Sequence, residues 1–386
     1  MIATHLTLKN WRNFLAVEVD LSDRVFLVGP NAAGKSNLLD VFRFLRDVAK
    51  KGGGLQYAVA ERGGLSKIRC LAARRYPDVE IEVRLAESAD REPLWRYSLG
   101  IKQEVRAHRR TLVAFERAWQ GNTQILNRPD EDDEKDSLRL TQTHLEQVNA
   151  NEKFRSMAEF FESLLYLHLV PQLVRHSGAF SGPGLPGDPF GRSFLDRVAR
   201  TSEKTRQTRL AKIENALKVA VPQLEGLKYT TDDVGTPHIE ANYKHWRPKG
   251  AKQREDQFSD GTLRLIGLLW SLLEGDSLLL LEEPELSLNV GIVSKLAELM
   301  YRVQRKKKRQ IVISTHSADL LSDKGIGGEE VLLLTPGEEG TQVERASSKK
   351  EIRALLEAGV SVGEAVLPHL GSRDTKKLDT ALDLFE

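Results

Sequence analysis

Residues 29–36 read Gly29-Pro30-Asn31-Ala32-Ala33-Gly34-Lys35-Ser36, which meets the spacing G-x-x-x-x-G-K-[ST] in full. The pattern constrains a fold because it works only between a strand and a helix. The glycines let the backbone wrap until its N–H groups and the following helix N-terminus face a phosphate, the lysine reaches the β- and γ-oxygens, and the hydroxyl after it ligates magnesium. Both flanks have the required period. Arg24–Val28 runs as a short strand into Gly29, and after Ser36 the residues Leu38, Val41, Phe42, Leu45 and Val48 recur at helical spacing. A glycine-rich turn that merely caps a helix is the competing reading, and the strand before and helix after disfavour it. The expected ligands are ATP and Mg²⁺.

A chain of 386 residues exceeds one average domain, so a large domain with an insertion, or two domains, is expected. Hydrophobic residues at 40% and charged residues at 29% are enough for a sizeable core, which argues against global disorder. The apolar runs fall far below the ~18 residues of a membrane span, the N-terminus alternates instead of forming a leader, and a cytoplasmic protein without membrane partners is expected. The single cysteine, Cys70, excludes an internal disulfide and a cysteine-based zinc site. A net charge of +2 does not by itself imply a nucleic-acid partner, so that case rests on local clusters.

Along the chain, residues 4–9 and 15–21 read as strands, as do Val79–Leu85 and Trp95–Ile101, which alternate apolar and polar residues like antiparallel hairpins. The acidic run Asp130–Asp136 reads as a solvated loop. Phe154, Met157, Phe161, Leu164 and Leu165 have helical spacing, and the glycine- and proline-rich stretch Ser177–Ser193 reads as a mobile loop. One basic helix is expected between Arg192 and Lys218, with eight Lys/Arg against three acids. This segment, with Tyr243-Lys244-His245-Trp246-Arg247 and Lys249, Lys252 and Arg254, is the candidate DNA contact. Lys306–Arg309 reads only as the cationic end of a helix. Further on come a hairpin near 226–246, helices over 262–273 and 290–304, and strands at 277–281, 310–314 and 331–334.

Three more motifs follow in order. Phe258-Ser259-Asp260-Gly261 opens an apolar helix, and alone it is a plain helix start. Ser277–Leu281 is a buried strand ending in Glu282-Glu283, and carboxylates at a strand tip need a partner, which a magnesium ion at the phosphate loop supplies. Ile311-Val312-Ile313-Ser314-Thr315 ends in His316, by itself more often a structural histidine.

That order resembles the ABC-type ATPase heads of the SMC/RecF branch, most of all the OLD-like, AAA-labelled ATPases of prokaryotic defence systems. KNWRNF at 9–14 is similar to the branch's opening, in which the Arg12 position lies beside the nucleotide. GPNAAGKSNLLDVFRFL at 29–45 is similar to its Walker A region, and on this likeness Gly29 through Asn37 contact the nucleotide. FSDGTLRLIGLL at 258–269 resembles the signature motif, LLLLEEPELSLN at 278–289 Walker B with the D-loop, and STHS at 314–317 the H-loop. THLEQVN at 143–149 stands where such proteins carry the Q-loop, making Gln147 the choice, with Gln142 close by. The likeness covers both ends of the chain well and the middle poorly.

The sequence departs from the family at Glu282, where an Asp is usual, and at Asn289-Val290, where His-Pro often ends the D-loop. The insertion lacks sustained heptads, so no long coiled coil is expected, and no acidic triad suited to an appended nuclease follows His316. The resemblance implies an α/β P-loop NTPase of the ABC head type, with a mixed sheet, an antiparallel β subdomain and an inserted helical lid. Its expected parts are an N-lobe over 1–150, a lid over 151–225, a C-lobe over 226–345 and a helical tail over 346–386. It further implies that Lys35 holds phosphates, Ser36 and Glu282 hold Mg²⁺, Gln147 senses metal and water, Glu283 activates the water and His316 contacts the γ-phosphate. Ser259 and Gly261 would meet ATP bound to a second subunit, giving a homodimer through an ATP sandwich. Such a switch would regulate a separately encoded effector, as in anti-phage defence; the alternative is a DNA-repair or chromosome-maintenance ATPase acting on DNA directly.

Overall fold

In the computed structural model, residues 1–73, 77–104, 109–176, 188, 190–244 and 251–371 are described. The chain opens with β1 (Ile2–Trp11), β2 (Phe14–Asp20), β3 (Arg24–Val28) and α1 (Lys35–Ala49), followed by α2 (Leu55–Ala60) and α3 (Leu65–Ile68). Next come β4 (Val79–Ala86), β5 (Trp95–Gln103), β6 (Thr111–Gln120), β7 (Thr123–Arg128), α4 (Glu131–Lys135) and α5 (Arg155–Glu162). The middle holds β8 (Leu165–Leu167), α6 (Pro171–Arg175), α7 (Phe194–Arg200), α8 (Glu203–Ala220), β9 (Leu224–Thr231), β10 (Pro237–Tyr243), β11 (Ala251–Arg254) and α9 (Asp260–Leu273). The chain continues with β12 (Leu279–Glu282), α10 (Val290–Lys307), β13 (Ile311–Thr315), β14 (Val331–Gly337), β15 (Gly340–Arg345), α11 (Lys350–Glu357) and α12 (Val362–Leu370). It divides into a first unit, Met1–Leu164 with Arg309–Glu386, and a second, Leu165–Lys308.

In the first unit β3 lies between β13 and β14 and runs parallel to both, while β15 closes antiparallel on β14. All five residues of β3 are buried, as a strand flanked on both sides requires. Its one charge, Arg24, is satisfied by Glu330 at 2.8 Å and the Gly325 carbonyl at 2.8 Å. The other sheet is antiparallel, in the order β2-β1-β4-β5-β6-β7. Alternation in β4 places Val79, Ile81, Val83 and Leu85 inside and leaves Glu80, Glu82 and Arg84 partly exposed. The α/β class, the mixed sheet and the antiparallel β portion are as expected.

The acidic run is exposed as its charge predicts at Glu131, Asp132, Glu134 and Asp136, but it forms a short helix rather than a loop, and Asp133 is buried. Asp130 caps α4 through the Asp132 and Asp133 amides, and Asp133 is buried against Arg128 at the end of β7. Arg128 gives all five guanidinium N–H bonds: two to Asp133 (2.9 and 2.8 Å), one to Glu116 (3.1 Å), and one each to the Gln142 and Arg139 carbonyls. Glu116 also accepts from the Tyr97 hydroxyl and the His144 and Leu145 amides. A buried partner five residues away overrides the rule that like charges stay in water.

The second unit carries β8 parallel to β12 and the antiparallel sheet β11-β10-β9, with α9 buried over most of its length. Leu165 belongs to β8 rather than to the helix expected through it, since α5 ends at Glu162; short apolar runs are ambiguous between strand and helix. The single basic helix is two, α7 and α8, with Thr201 and Ser202 between them. Arg206 lies 3.9 Å from the Tyr229 ring centroid and donates to the Ala199 carbonyl, and Arg209 stacks over Trp270 at 5.1 Å. These two candidate DNA contacts are therefore engaged in holding their own unit together. Residues 177–187 and 189 of the expected mobile loop, residues 245–250 of the aromatic-basic stretch and residues 372–386 of the tail lie outside the described residues. No helix among the described residues is long and apolar enough to cross a membrane.

Candidate nucleotide site

The phosphate loop leaves the C-terminal end of β3 and enters α1. Gly29 and Ala33 are buried, Pro30 is partly covered, and Asn31 and Ala32 stand on the exposed arc with Ala32 at φ 63°. Gly34 is the N-cap of α1 at φ 98°, a conformation that disfavours a side chain. A Cβ there would also lie 2.2 Å from the Asn13 amide nitrogen. The close approach has a purpose. Asn13 donates to the Ala33 carbonyl (3.0 Å) and to Thr341 Oγ1 (2.7 Å), and accepts from Asn37 (2.8 Å), while the Trp11 indole donates to the Asn37 carbonyl (2.8 Å). Asn13 thus fixes the loop from beneath, a role the sequence did not reveal although the residue sits in the KNWRNF opening.

Lys35 is buried with its ammonium on the Gly29 and Pro30 carbonyls at 2.8 and 3.1 Å, so the charge lies inside the cradle. The first turn of α1 has no acidic residue to offset the positive helix end, and Ser36 is exposed on that turn. His316 directly follows β13, whose last residue, Thr315, is level with Val28, the last residue of β3. Arg12, at φ 50°, pairs with Asp40 at 2.7 Å, and Arg62 holds the same carboxylate at 2.9 Å. Burial by itself works to raise the Asp40 pKa, but Arg62, Arg12 and Arg43 outweigh it and hold it below the usual carboxylate range. Arg12 therefore belongs to a charged network on the second turn of α1.

Gln147 is not brought to this loop. With Gln142 and Asn151 it lines a cavity of about 540 Å³ against Ala49–Gly53, at the C-terminal end of α1. A helix of 15 residues at 1.5 Å per residue separates that end from Ser36 by about 20 Å. A THLEQVN match carries no information about which end of α1 the segment approaches.

In the second unit, Leu279–Leu281 of β12 are fully buried and Glu282 stands at the strand tip. The Tyr166 hydroxyl from β8 donates to Glu282 Oε2, and His168 Nδ1 lies 3.3 Å from the Glu282 carbonyl oxygen. Glu283 at φ 44° and Ser287 at φ 62° hold the following loop in a conformation uncommon for residues with side chains, the kind of strain that collects at functional sites. Ser259 caps α9 through the Thr262 amide at 3.2 Å. A Cβ on Gly261 would lie 2.6 Å from the Ser287 carbonyl oxygen, so the first turn of α9 rests on that strained loop. Gly261→Ala is expected to push the two apart and to cost about 1–3 kcal/mol; urea denaturation of the purified variant measures it, and an unchanged midpoint would contradict the packing argument.

A phosphate loop between β3 and α1, a mixed sheet and a serine-capped helix resting on the loop after a carboxylate-ended strand define a P-loop protein of the ABC head class. The chain belongs to the family described as "AAA domain, putative AbiEii toxin, Type IV TA system", whose sequence model matches residues 24–323. No curated protein matches the sequence. Among solved structures, an SMC head bound to the C-terminal winged-helix domain of ScpA aligns over 89% of this chain and 98% of its own, with a TM-score of 0.53 and 14% identity. The SMC head of Pyrococcus furiosus, with an extended coiled coil and bound to the C-terminal domain of ScpA, aligns over 92% and 99%, with a TM-score of 0.50 and 12% identity. At such identities the likeness concerns the fold.

Proposed function

We propose that this chain is a magnesium-dependent ATPase whose ATP-bound form pairs with a second copy of itself and thereby switches a separately encoded effector. The observation that carries the reading is the complete phosphate cradle, with Lys35 folded inside it and Asn13 bracing it. Hydroxyl and carboxylate oxygens at Ser36 and Glu282 are the hard donors that Mg²⁺ takes, and one or two such ligands suffice because the ion keeps waters and phosphate oxygens. The ion, when bound, neutralises charge developing on the β- and γ-oxygens. Lys35 and the loop amides hold the phosphates, Glu283 accepts a proton from the attacking water, and His316 contacts the γ-phosphate. Gln147 has no part in this assignment, given its place at the far end of α1. Ser259 and the Gly261 amide, at the positive end of α9, suit a γ-phosphate presented by another subunit. The family description names a toxin–antitoxin system, which supports an effector partner over direct action on DNA.

Two substitutions give opposite outcomes. Glu283→Gln keeps the shape of the site but removes the base, so ATP stays intact and the pair persists; Ser259→Arg places a bulky cation where the second phosphate docks and prevents pairing while the monomer still binds ATP. Light scattering after gel filtration, with and without Mg·ATP, compares them. Where other contacts already hold a dimer, the reading is a smaller radius or a crosslink from position 259 to the opposite phosphate loop. Glu283→Gln with ATP showing neither added mass nor closure would remove the pairing mechanism.

A further inference from the structure

Within the second unit, one stretch of eleven residues touches two of the motifs assigned above. Its first part is β8, in parallel register with β12, with Tyr166 on the Glu282 carboxylate and His168 beside the Glu282 carbonyl. Its last part is α6, and here the partner is Asp260, the residue between Ser259 and Gly261. Arg175 Nη1 lies 2.6 Å from Asp260 Oδ1, Gln172 Nε2 donates to Asp260 Oδ2 at 3.2 Å, and Arg175 Nη2 donates to the Phe258 carbonyl. The Arg175 side chain is only 17% exposed. The Ser259 hydroxyl bonds to Thr262 in its own turn, so the bonds tying that turn to α6 run through its two neighbours.

We infer that residues 166–175 couple the carboxylate end of β12 to the turn that carries Ser259, and that Arg175 is a positioning residue for that serine. The inference rests on the pairing reading given above. The physical argument is one of path and stiffness. Along the chain α9 separates the two ends by its whole length, and the loop after β12 meets the turn by packing of Ser287 on Gly261, whereas 166–175 adds a hydrogen-bonded link made of a strand, one turn of helix and a sheltered two-point contact. A guanidinium bound to both a carboxylate and a carbonyl fixes orientation as well as distance. A shift of the Glu282 carboxylate against the Tyr166 hydroxyl is thereby transmitted to the angle at which Ser259 and the Gly261 amide are presented.

The test uses full-length Glu283→Gln protein with Mg·ATP and reads the protein concentration at half-maximal pairing, alongside nucleotide affinity measured at concentrations where the protein is monomeric. Adding Arg175→Ala is expected to raise the pairing concentration about tenfold with monomer nucleotide affinity unchanged. Arg175→Lys should recover part of the loss, since it keeps the charge opposite Asp260 but not the second bond. Asp260→Asn should resemble Arg175→Ala, and the double variant should be no worse than either alone, the signature of residues acting through one contact. Arg175→Ala pairing at the parental concentration, with or without a lower melting temperature, overturns the inference and leaves Arg175 a plain structural tie. A Glu283→Gln parent that does not pair at all defeats the pairing reading first, and the inference falls with it.

Discussion

Lys35→Ala is expected to lower steady-state ATP turnover by about a hundredfold to a thousandfold and to weaken nucleotide binding. The Lys35 ammonium sits on the Gly29 and Pro30 carbonyls, inside the loop that would surround the phosphates. Preorganised charge of this kind acts on the transition state without reorganisation, and removing one such donor typically costs two to three orders of magnitude. Arg12 does not replace it, because that guanidinium is committed to Asp40. Turnover and nucleotide binding are measured together, so that a requirement for an effector, which would silence both proteins in the turnover assay, does not hide the difference. A variant with wild-type rate and affinity would defeat the assignment of the loop.

The second large effect is on stability. Arg128→Met is expected to cost about 3–5 kcal/mol at pH 7, the usual result of removing one partner from a buried ionic network. Glu116 and Asp133 are both fully buried, and the substitution removes the cation that pairs with both carboxylates together with its bonds to the Gln142 and Arg139 carbonyls. The sign of the pH dependence follows. Burial works to raise the Asp133 pKa, but the bonds from Arg128, the Asp130 amide and Arg139 outweigh it and hold the folded-state pKa well below the ordinary value. A depressed carboxylate contributes stability that is complete above its unfolded pKa of about 3.9 and is lost as pH falls below it. In the variant the part of that contribution owed to Arg128 is absent, so the gap between the two proteins is full at pH 7 and narrows as pH falls below about 4. Urea denaturation at several pH values tests both statements; a loss under 1 kcal/mol at pH 7 would contradict them.

The sequence and the structure agree best where a pattern is local. The cradle at 29–36, the strands 24–28 and 79–85 and the helix after Phe258 could be read because each shows its period over a few residues. What escaped was set by partners far away in sequence. Asp133 was read by its acidic neighbours and is governed by Arg128; Tyr166 reaches Glu282 only through the β8–β12 register; Arg175 meets Asp260 across 84 intervening positions. Gln147 shows the opposite error, a residue type found at a plausible place in the order of motifs but positioned at the wrong end of a helix. Order along the chain constrains topology, and only packing decides which end of an element a loop approaches.

Asn13 donates to Ala33 and Thr341 and accepts from Asn37, and β3 lies between β13 and β14. The phosphate loop, although it lies near the start of the sequence, is therefore among the last motifs to be completed during synthesis. While a ribosome is still making residues 40–300, the strand that leads into the loop lacks both of its sheet neighbours, and Asn13 lacks Thr341. The emerging chain accordingly has no finished phosphate cradle until Thr341 has been made, and nucleotide binding by a truncated product ending before β13 is expected to be absent even though every residue of 29–36 is in place.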